Sequence, residues 1–110
     1  MHIEQFREYC LSKTEVEECF PFGPEHLVYK VQGKMFCLTS LDSEQFTFNV
    51  KCDPEKAIEL REQHSAVLPG FHMNKKHWNT IVVDGTLPNT LLQQFVNDSY
   101  NLVYKKPKNK

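Results

Sequence analysis

Two residues, Gln32 and Gly33, separate two short runs rich in β-branched and aromatic side chains, and this spacing strongly constrains the fold. The runs cover residues 27–31 and 34–38. A two-residue connection that ends in glycine is typical of a tight β-hairpin, because glycine readily adopts the left-handed backbone conformation that such turns need. The strands of a hairpin are antiparallel, so the sequence predicts a mainly antiparallel sheet.

A third strand is predicted over residues 46–52, where apolar and polar side chains alternate. The residues on one face are Phe46, Phe48, Val50 and Cys52, and those on the other are Thr47, Asn49 and Lys51. This period of two indicates a strand with one buried face. Asp53 and Pro54 follow as N-cap and first-turn proline, and they predict a helix that continues to about His64.

Helical periodicity marks both ends of the chain. Ile3, Phe6 and Cys10 predict a helix over residues 2–12, and the apolar residues between 91 and 103 predict a last helix that begins near Pro88. Residues 79–84 indicate a further strand, whereas 14–20 are β-capable but weakly patterned. The expected order is helix, three strands, helix, one or two strands, helix, written α-β-β-β-α-β-β-α. This order favours a two-layer α+β fold, with helices packed on one face of the sheet.

The length and composition predict one globular domain. The chain has 110 residues, 40% hydrophobic and 25% charged, and we expect the domain over 1–104 and a Lys-rich flexible tail over 105–110. No apolar run approaches the about 20 residues of a membrane helix. Residues 1–5 lack the segments of a secretory signal. We therefore expect a cytoplasmic protein without a membrane partner.

Charge is unevenly distributed along the chain. Residues 1–62 carry seven Lys or Arg against twelve Asp or Glu, a balance of −5, whereas residues 63–110 carry six Lys against two Asp, a balance of +4. A polyanion is attracted to such a protein only where the basic residues form one contiguous surface.

The four cysteines, at positions 10, 19, 37 and 52, lie far apart and include no C-x-x-C pair. Three of them, Cys10, Cys19 and Cys37, neighbour Phe, Tyr or Leu. This pattern favours small buried hydrophobic residues over a disulfide framework.

Polar side chains that are able to bind a ligand are concentrated in residues 69–79, between a predicted helix and a predicted strand. Lys75 and Lys76 are suited to contact phosphates as point charges. Asn74 and Asn79 are suited to donate to phosphate or sugar oxygens, or to read a base edge. Trp78 adjoins a predicted strand, which favours a role as the structural anchor of the loop over stacking on a base.

Other kinds of site find little support in the sequence. His72 and His77 are five residues apart with no nearby Cys, Asp or Glu, so no metal site is predicted. With only four glycines, there is no phosphate-binding glycine loop and no dinucleotide fingerprint. No nucleophile–base pair stands out, so neither a catalytic residue nor a cofactor is predicted. Lys51, held at the end of a strand, is a candidate anion contact.

At this point the sequence resembles a known family, the MmcQ/YjbR family of small bacterial proteins. The segments that carry the resemblance are PGFHMNKKHWNT at 69–80, FPFG at 20–23, GKMF at 33–36, NVKCDP at 49–54 and SYNLV at 99–103. They span almost the entire chain. The resemblance implies an architecture similar to type III secretion chaperones and to frataxin-like (CyaY-like) proteins.

The resemblance also implies DNA as the partner, bound by a "double-wing" arrangement of hairpins together with the loop from Gly70 to Trp78. Carried onto this chain, the candidate DNA contacts are Lys34, Lys51, His72, Asn74, Lys75, Lys76 and His77. It implies no catalytic residue. A pI near 6.5 and only two arginines favour weak or shape-based binding, because arginine is the preferred reader of guanine.

Two other hypotheses belong to different classes. A protein or peptide interaction module, by analogy with secretion chaperones, would expose an apolar groove or a sheet edge and would depend little on salt. A small-ligand binder that uses His72, Lys75 and His77 would have a concave pocket around the loop. Iron handling of the frataxin kind has the weakest support, because the first helix offers only Glu4 and Glu8.

Overall fold

A computed structural model describes residues 1–106 and shows three helices and six strands in this range. The elements in chain order are α1 (Ile3–Leu11), β1 (Val16–Cys19), β2 (His26–Val31), β3 (Lys34–Ser40), β4 (Thr47–Lys51), α2 (Pro54–Gln63), β5 (Val67–Pro69), β6 (Trp78–Val82) and α3 (Asn89–Val103). Residues 107–110 of the expected tail lie outside the described residues.

The six strands form a single sheet in the order β1-β2-β3-β4-β6-β5, and every neighbouring pair is antiparallel. The predicted fold class is therefore confirmed. The β2–β3 hairpin turns where predicted, with φ of 53° at Gln32 and 80° at Gly33. Left-handed values at both central residues are typical of the turn that suits the twist of a hairpin.

The sheet has one strand more before α2 than the sequence predicts. The additional strand is β1, at one edge, and it contains two glutamates, so alternation alone does not reveal it. Its place is fixed by contacts with other elements. The Glu18 carboxylate accepts hydrogen bonds from Arg7 of α1, at 2.8 and 3.1 Å, and from the Tyr29 hydroxyl of β2, at 2.9 Å.

The helices contribute to the main hydrophobic core on one face of the sheet. Phe6 of α1 lies at its centre, with its ring 4.7 Å from Phe48 and 5.7 Å from Tyr29 between ring centroids. Cys10, Cys37 and Cys52 are buried and Cys19 is half-buried, and all four are free thiols. The prediction of buried, unpaired cysteines thus holds for three of them.

The opposite face of the sheet carries a second, smaller hydrophobic cluster. A ladder of paired residues crosses all six strands on this face, and its members are Cys19, Val28, Leu38, Asn49, Thr80 and Leu68. Val28 and Leu38 pack there with Trp78, and Met73 of the β5–β6 connection packs against them. That connection therefore folds back onto the sheet.

Within residues 1–106, none of the helices combines the length and the apolar character required to cross a membrane.

Candidate nucleic-acid interface

Two hairpins point in the same direction and carry the segments of interest. The β2–β3 hairpin turns at residues 32–33, and the second hairpin, β5–β6, is connected by residues 70–77. Strand β4 lies between β3 and β6 and ends at Lys51, which is paired with Trp78. The loop that the sequence places between a helix and a strand is thus the tip of a hairpin, because the three-residue strand β5 precedes it.

We call this side of the molecule the lysine end. It comprises the connections 12–15, 32–33, 52–53 and 70–77, the strand-end residues Lys34 and Lys51, and residues 104–106 after α3. The last segment is held there by Gln32, whose side chain bonds the backbone N–H and C=O of Lys105 at 2.8 and 2.7 Å. In all, the lysine end carries seven lysines against two acidic residues, Glu15 and Asp53.

The other ends of the strands form an acidic end, made of the connections 20–25, 41–46, 64–66 and 83–88. These connections contain four acidic residues and no Lys or Arg, and the acidic residues are Glu25, Asp42, Glu44 and Asp84. Charge is therefore separated along the strand direction. The basic half of the sequence does not form the basic surface alone, since Lys34 and Lys51 come from the acidic half.

The 70–77 loop is held in a fixed conformation by its first residue. The Gly70 N–H donates to the Trp78 carbonyl at 2.9 Å, and a Cβ on Gly70 would lie 2.9 Å from the Trp78 Cβ and 3.0 Å from the Met73 Cβ. Only glycine fits such a close approach. The next amide, that of Phe71, donates to the Thr80 hydroxyl at 2.9 Å, which ties the loop to the sheet.

The remaining loop residues combine exposed side chains with structural hydrogen bonds. Lys76 is exposed, and its N–H donates to the Asn74 side chain at 2.9 Å. The exposed Lys75 bends back, and its ammonium donates to the Gly70 carbonyl at 3.1 Å. His72 is exposed with φ of 58°, and His77 is half-buried, with its carbonyl accepting from the Cys52 N–H at 2.7 Å.

Trp78 and Asn79 follow the loop and point to opposite faces of the sheet. Trp78 is only 8% exposed and packs with Val28 and Leu38, which is the position of an anchor. Asn79 is fully buried on the helix face, so its side chain is not available to a phosphate, a sugar or a base. Its amide donates to the Ala57 carbonyl of α2 at 3.2 Å. The alternation of β6 buries this side chain, because Asn79 pairs with the core residue Val50.

Phe71 is a further exposed residue of the loop that the sequence pattern does not indicate as a contact. Its side chain is 69% exposed, and its ring centroid lies 4.3 Å from that of His72 at a tilt of 57°. Nothing in the sequence distinguishes this phenylalanine from those of the core, because exposure depends on the conformation of the loop.

Two clefts lie away from the loop. One, of about 340 Å³, lies between α1 and the start of α3, and the other, of about 280 Å³, is lined by Lys51, Lys56 and Asp98 among others. Neither is lined by residues 70–77, where a small-ligand site at His72, Lys75 and His77 requires a pocket. Among residues 1–106, no group of three His, Cys, Asp or Glu side chains is arranged to hold a metal ion.

Known proteins resemble this chain over most of its length. A family model described as YjbR matches residues 11–102. The Escherichia coli O157:H7 protein YbdF is 39% identical over 91% of this chain and 82% of its own length. The protein YjbR of E. coli K12 is 33% identical over 91% of this chain and 85% of its own length. Both relatives are named as uncharacterized proteins, so their names assign no activity.

Solved structures show the same architecture. A crystal structure of a Deinococcus radiodurans protein with a DUF419 domain superposes with a TM-score of 0.88 and 39% identity, covering 98% of this chain and 82% of the other. A Pseudomonas syringae protein gives a TM-score of 0.82 at 24% identity, over 94% of this chain and the whole of the other. The second likeness concerns the fold alone.

Proposed function

This chain belongs to the YjbR family, and we propose that its lysine end binds the sugar–phosphate backbone of DNA without catalysing a reaction. The observation that carries the proposal is the separation of charge along the strands. Seven lysines and two acidic residues lie at one end, and the connections at the other end hold four acidic residues and no Lys or Arg. Such a separation attracts a polyanion to one surface even when the net charge is −1.

Four of the lysines at the lysine end lie on ordered backbone. Lys34 begins β3 and Lys51 ends β4, whereas Lys75 and Lys76 lie on the hydrogen-bonded 70–77 loop beside β6. Strands β3 and β6 flank β4, so these positions span about 10 Å across the sheet at the usual spacing of strands. Charges fixed to ordered backbone lose less conformational entropy on binding than charges on a flexible tail.

The pairing of both arginines within the protein favours contact with the DNA backbone over recognition of a base sequence. Arg7 is paired with Glu18 at 2.8 Å. Arg61 donates to the Lys75 carbonyl at 2.9 Å and to the Asn79 side chain at 3.2 Å. Both guanidinium groups thus have protein acceptors, and lysine is the remaining cation at the lysine end. Contacts to phosphate position a protein on DNA but carry little sequence information.

The experiment is fluorescence anisotropy of a labelled DNA duplex between about 50 and about 200 mM salt, where phosphate contacts give a steep dependence. Wild type is compared with Lys75→Gln/Lys76→Gln, which removes two positive charges from the lysine end. The matched control, Ser43→Glu/Ser65→Glu, adds two negative charges to exposed positions of the acidic end. Both variants change the net charge by the same amount, so only the place of the change differs.

We expect the lysine variant to bind more weakly and to reduce the slope of log K against log salt by about 2, at roughly 0.9 per phosphate contact. The control should retain most of the affinity and the slope. Equal losses in both variants, or no binding of either duplex or single-stranded DNA by folded wild type at low salt, would contradict the proposal. Absence of binding would favour the protein-interaction hypothesis, which requires no such salt dependence.

A further inference from the structure

Phe71 is the most exposed of the large hydrophobic side chains among residues 1–106, at 69%, although it lies in a well-anchored loop. The Phe71 N–H is bonded to Thr80, and the residue before it, Gly70, is fixed by its approach to Trp78. The backbone from which the exposed ring projects is therefore fixed against the sheet. A ring presented in this way is pre-organised to receive a flat apolar partner.

The surroundings of the ring indicate what kind of partner fits. His72 lies against one side of it, at 4.3 Å between centroids, in the left-handed conformation with φ of 58°. Lys75 and Lys76 follow within five residues and are exposed on the same hairpin tip. An aromatic ring beside lysines matches the alternation of base and phosphate in a nucleic-acid strand.

A duplex does not offer this ring a suitable surface, because its base faces are covered by stacking on their neighbours. The unpaired bases of a single strand leave a face for an aromatic side chain. From these contacts, and resting on the DNA binding proposed above, we infer that Phe71 is a stacking platform for an unpaired base and that the lysine end prefers single-stranded DNA to duplex.

The test compares labelled single strands of about 12 nucleotides, within the usual footprint of a small domain, with duplexes of the same sequence. Anisotropy gives the affinity of wild type, Phe71→Ala and Phe71→Tyr for each form. The matched control is Phe22→Ala, because Phe22 is also exposed, at 58%, but lies in the 20–25 connection of the acidic end. Thermal unfolding of each variant checks that the exposed substitutions leave the fold intact.

We expect wild type to bind the single strand more tightly than the duplex. Phe71→Ala should lose about tenfold in single-strand affinity, the usual effect of removing one base–aromatic stack, and less than twofold for the duplex. Phe71→Tyr should retain the affinity, since tyrosine stacks equally well, and Phe22→Ala should change neither value. The fluorescence of a 2-aminopurine base in the strand should change on binding to wild type, and much less on binding to Phe71→Ala.

The outcomes separate this inference from the function on which it rests. If wild type binds duplex as tightly as single strand, or if Phe71→Ala weakens both forms equally or neither, the stacking role is wrong while binding by the lysine end stands. If folded wild type binds neither form, the proposed function and the stacking role are both wrong. If Phe71→Ala alters only the sedimentation coefficient, the ring packs against a second copy, and the stacking role is wrong.

Discussion

The Arg61 guanidinium donates to the side-chain oxygen of Asn79 at 3.2 Å, and this contact joins helix α2 to strand β6 beneath the candidate interface. The same guanidinium donates to the carbonyl of Lys75 at 2.9 Å. A buried amide thus connects the hydrophobic core to the loop that carries the exposed lysines.

Replacement of Asn79 by alanine is expected to lower the free energy of unfolding by about 2 kcal/mol, the usual cost of leaving buried polar groups without partners. The groups affected are the Ala57 carbonyl and the Arg61 guanidinium. Urea denaturation measures the change. Asn101→Ala, at an exposed position of α3, is the control and should remain within about 0.5 kcal/mol of wild type. Equal stability of the two variants would contradict the structural role of Asn79.

Gly70→Ala is expected to destabilise the protein by about 1–3 kcal/mol, the usual cost of inserting a methyl group where no space exists. The new Cβ would lie 2.9 Å from both the Cβ and the carbonyl oxygen of Trp78. Because the loop then shifts, DNA affinity should fall as well. Ser65→Ala, at an exposed position before β5, should change neither property. A Gly70→Ala variant as stable as wild type would show that the loop accommodates the methyl group without cost, which would contradict the prediction.

Acid should weaken the contact between α1 and the β1 edge. Hydrogen bonds from Arg7 and from Tyr29 lower the pKa of Glu18, although burial opposes them. Since the pKa is lower in the folded protein, this stabilisation is complete above the unfolded value of about 4.3 and is lost as the pH falls through the folded pKa. Glu18→Gln should therefore lose less stability than wild type between about pH 7 and about pH 3. Identical pH profiles would argue against the contact.

Native thiols should differ sharply in reactivity. Cys10 and Cys37 are fully buried, and burial raises the pKa of Cys52 to about 11. Cys19 is half-buried on the opposite face of the sheet. With a disulfide reagent at about pH 8, near the ordinary thiol pKa, Cys19 should react first and the other three only on unfolding. Cys19→Ser should abolish the fast phase, and its persistence would contradict these burials.

The sequence predicts those parts of the fold that local patterns determine. Phe48 and Val50 are buried as the alternation requires, and Gln32 and Gly33 turn the first hairpin. Strands β1 and β5 are harder to predict, since Glu18 of β1 is stabilised by a contact with another element and β5 has only three residues. Pairing with neighbouring strands, which the linear sequence does not display, stabilises both.

The candidate interface was predictable in composition but not in geometry. The lysines of the 70–77 loop are conspicuous in the sequence. Their location at the same end of the sheet as Lys34 and Lys51 depends on the strand order β3-β4-β6. Asn79 and Phe71 illustrate the limit. Asn79 is polar but fully buried, because the register of β6 places it opposite Val50. Phe71 is apolar but 69% exposed, because of the conformation of the loop.

The most direct test of the central claim, that the lysine end contacts DNA, is a titration of ¹⁵N-labelled protein with a short DNA followed by backbone amide shifts. We predict that the largest shift changes fall in residues 32–34, 51–53 and 70–77, with little change in 20–25, 41–46 and 83–88. Changes concentrated in the acidic-end connections, or no change at a DNA excess in low salt, would contradict the account.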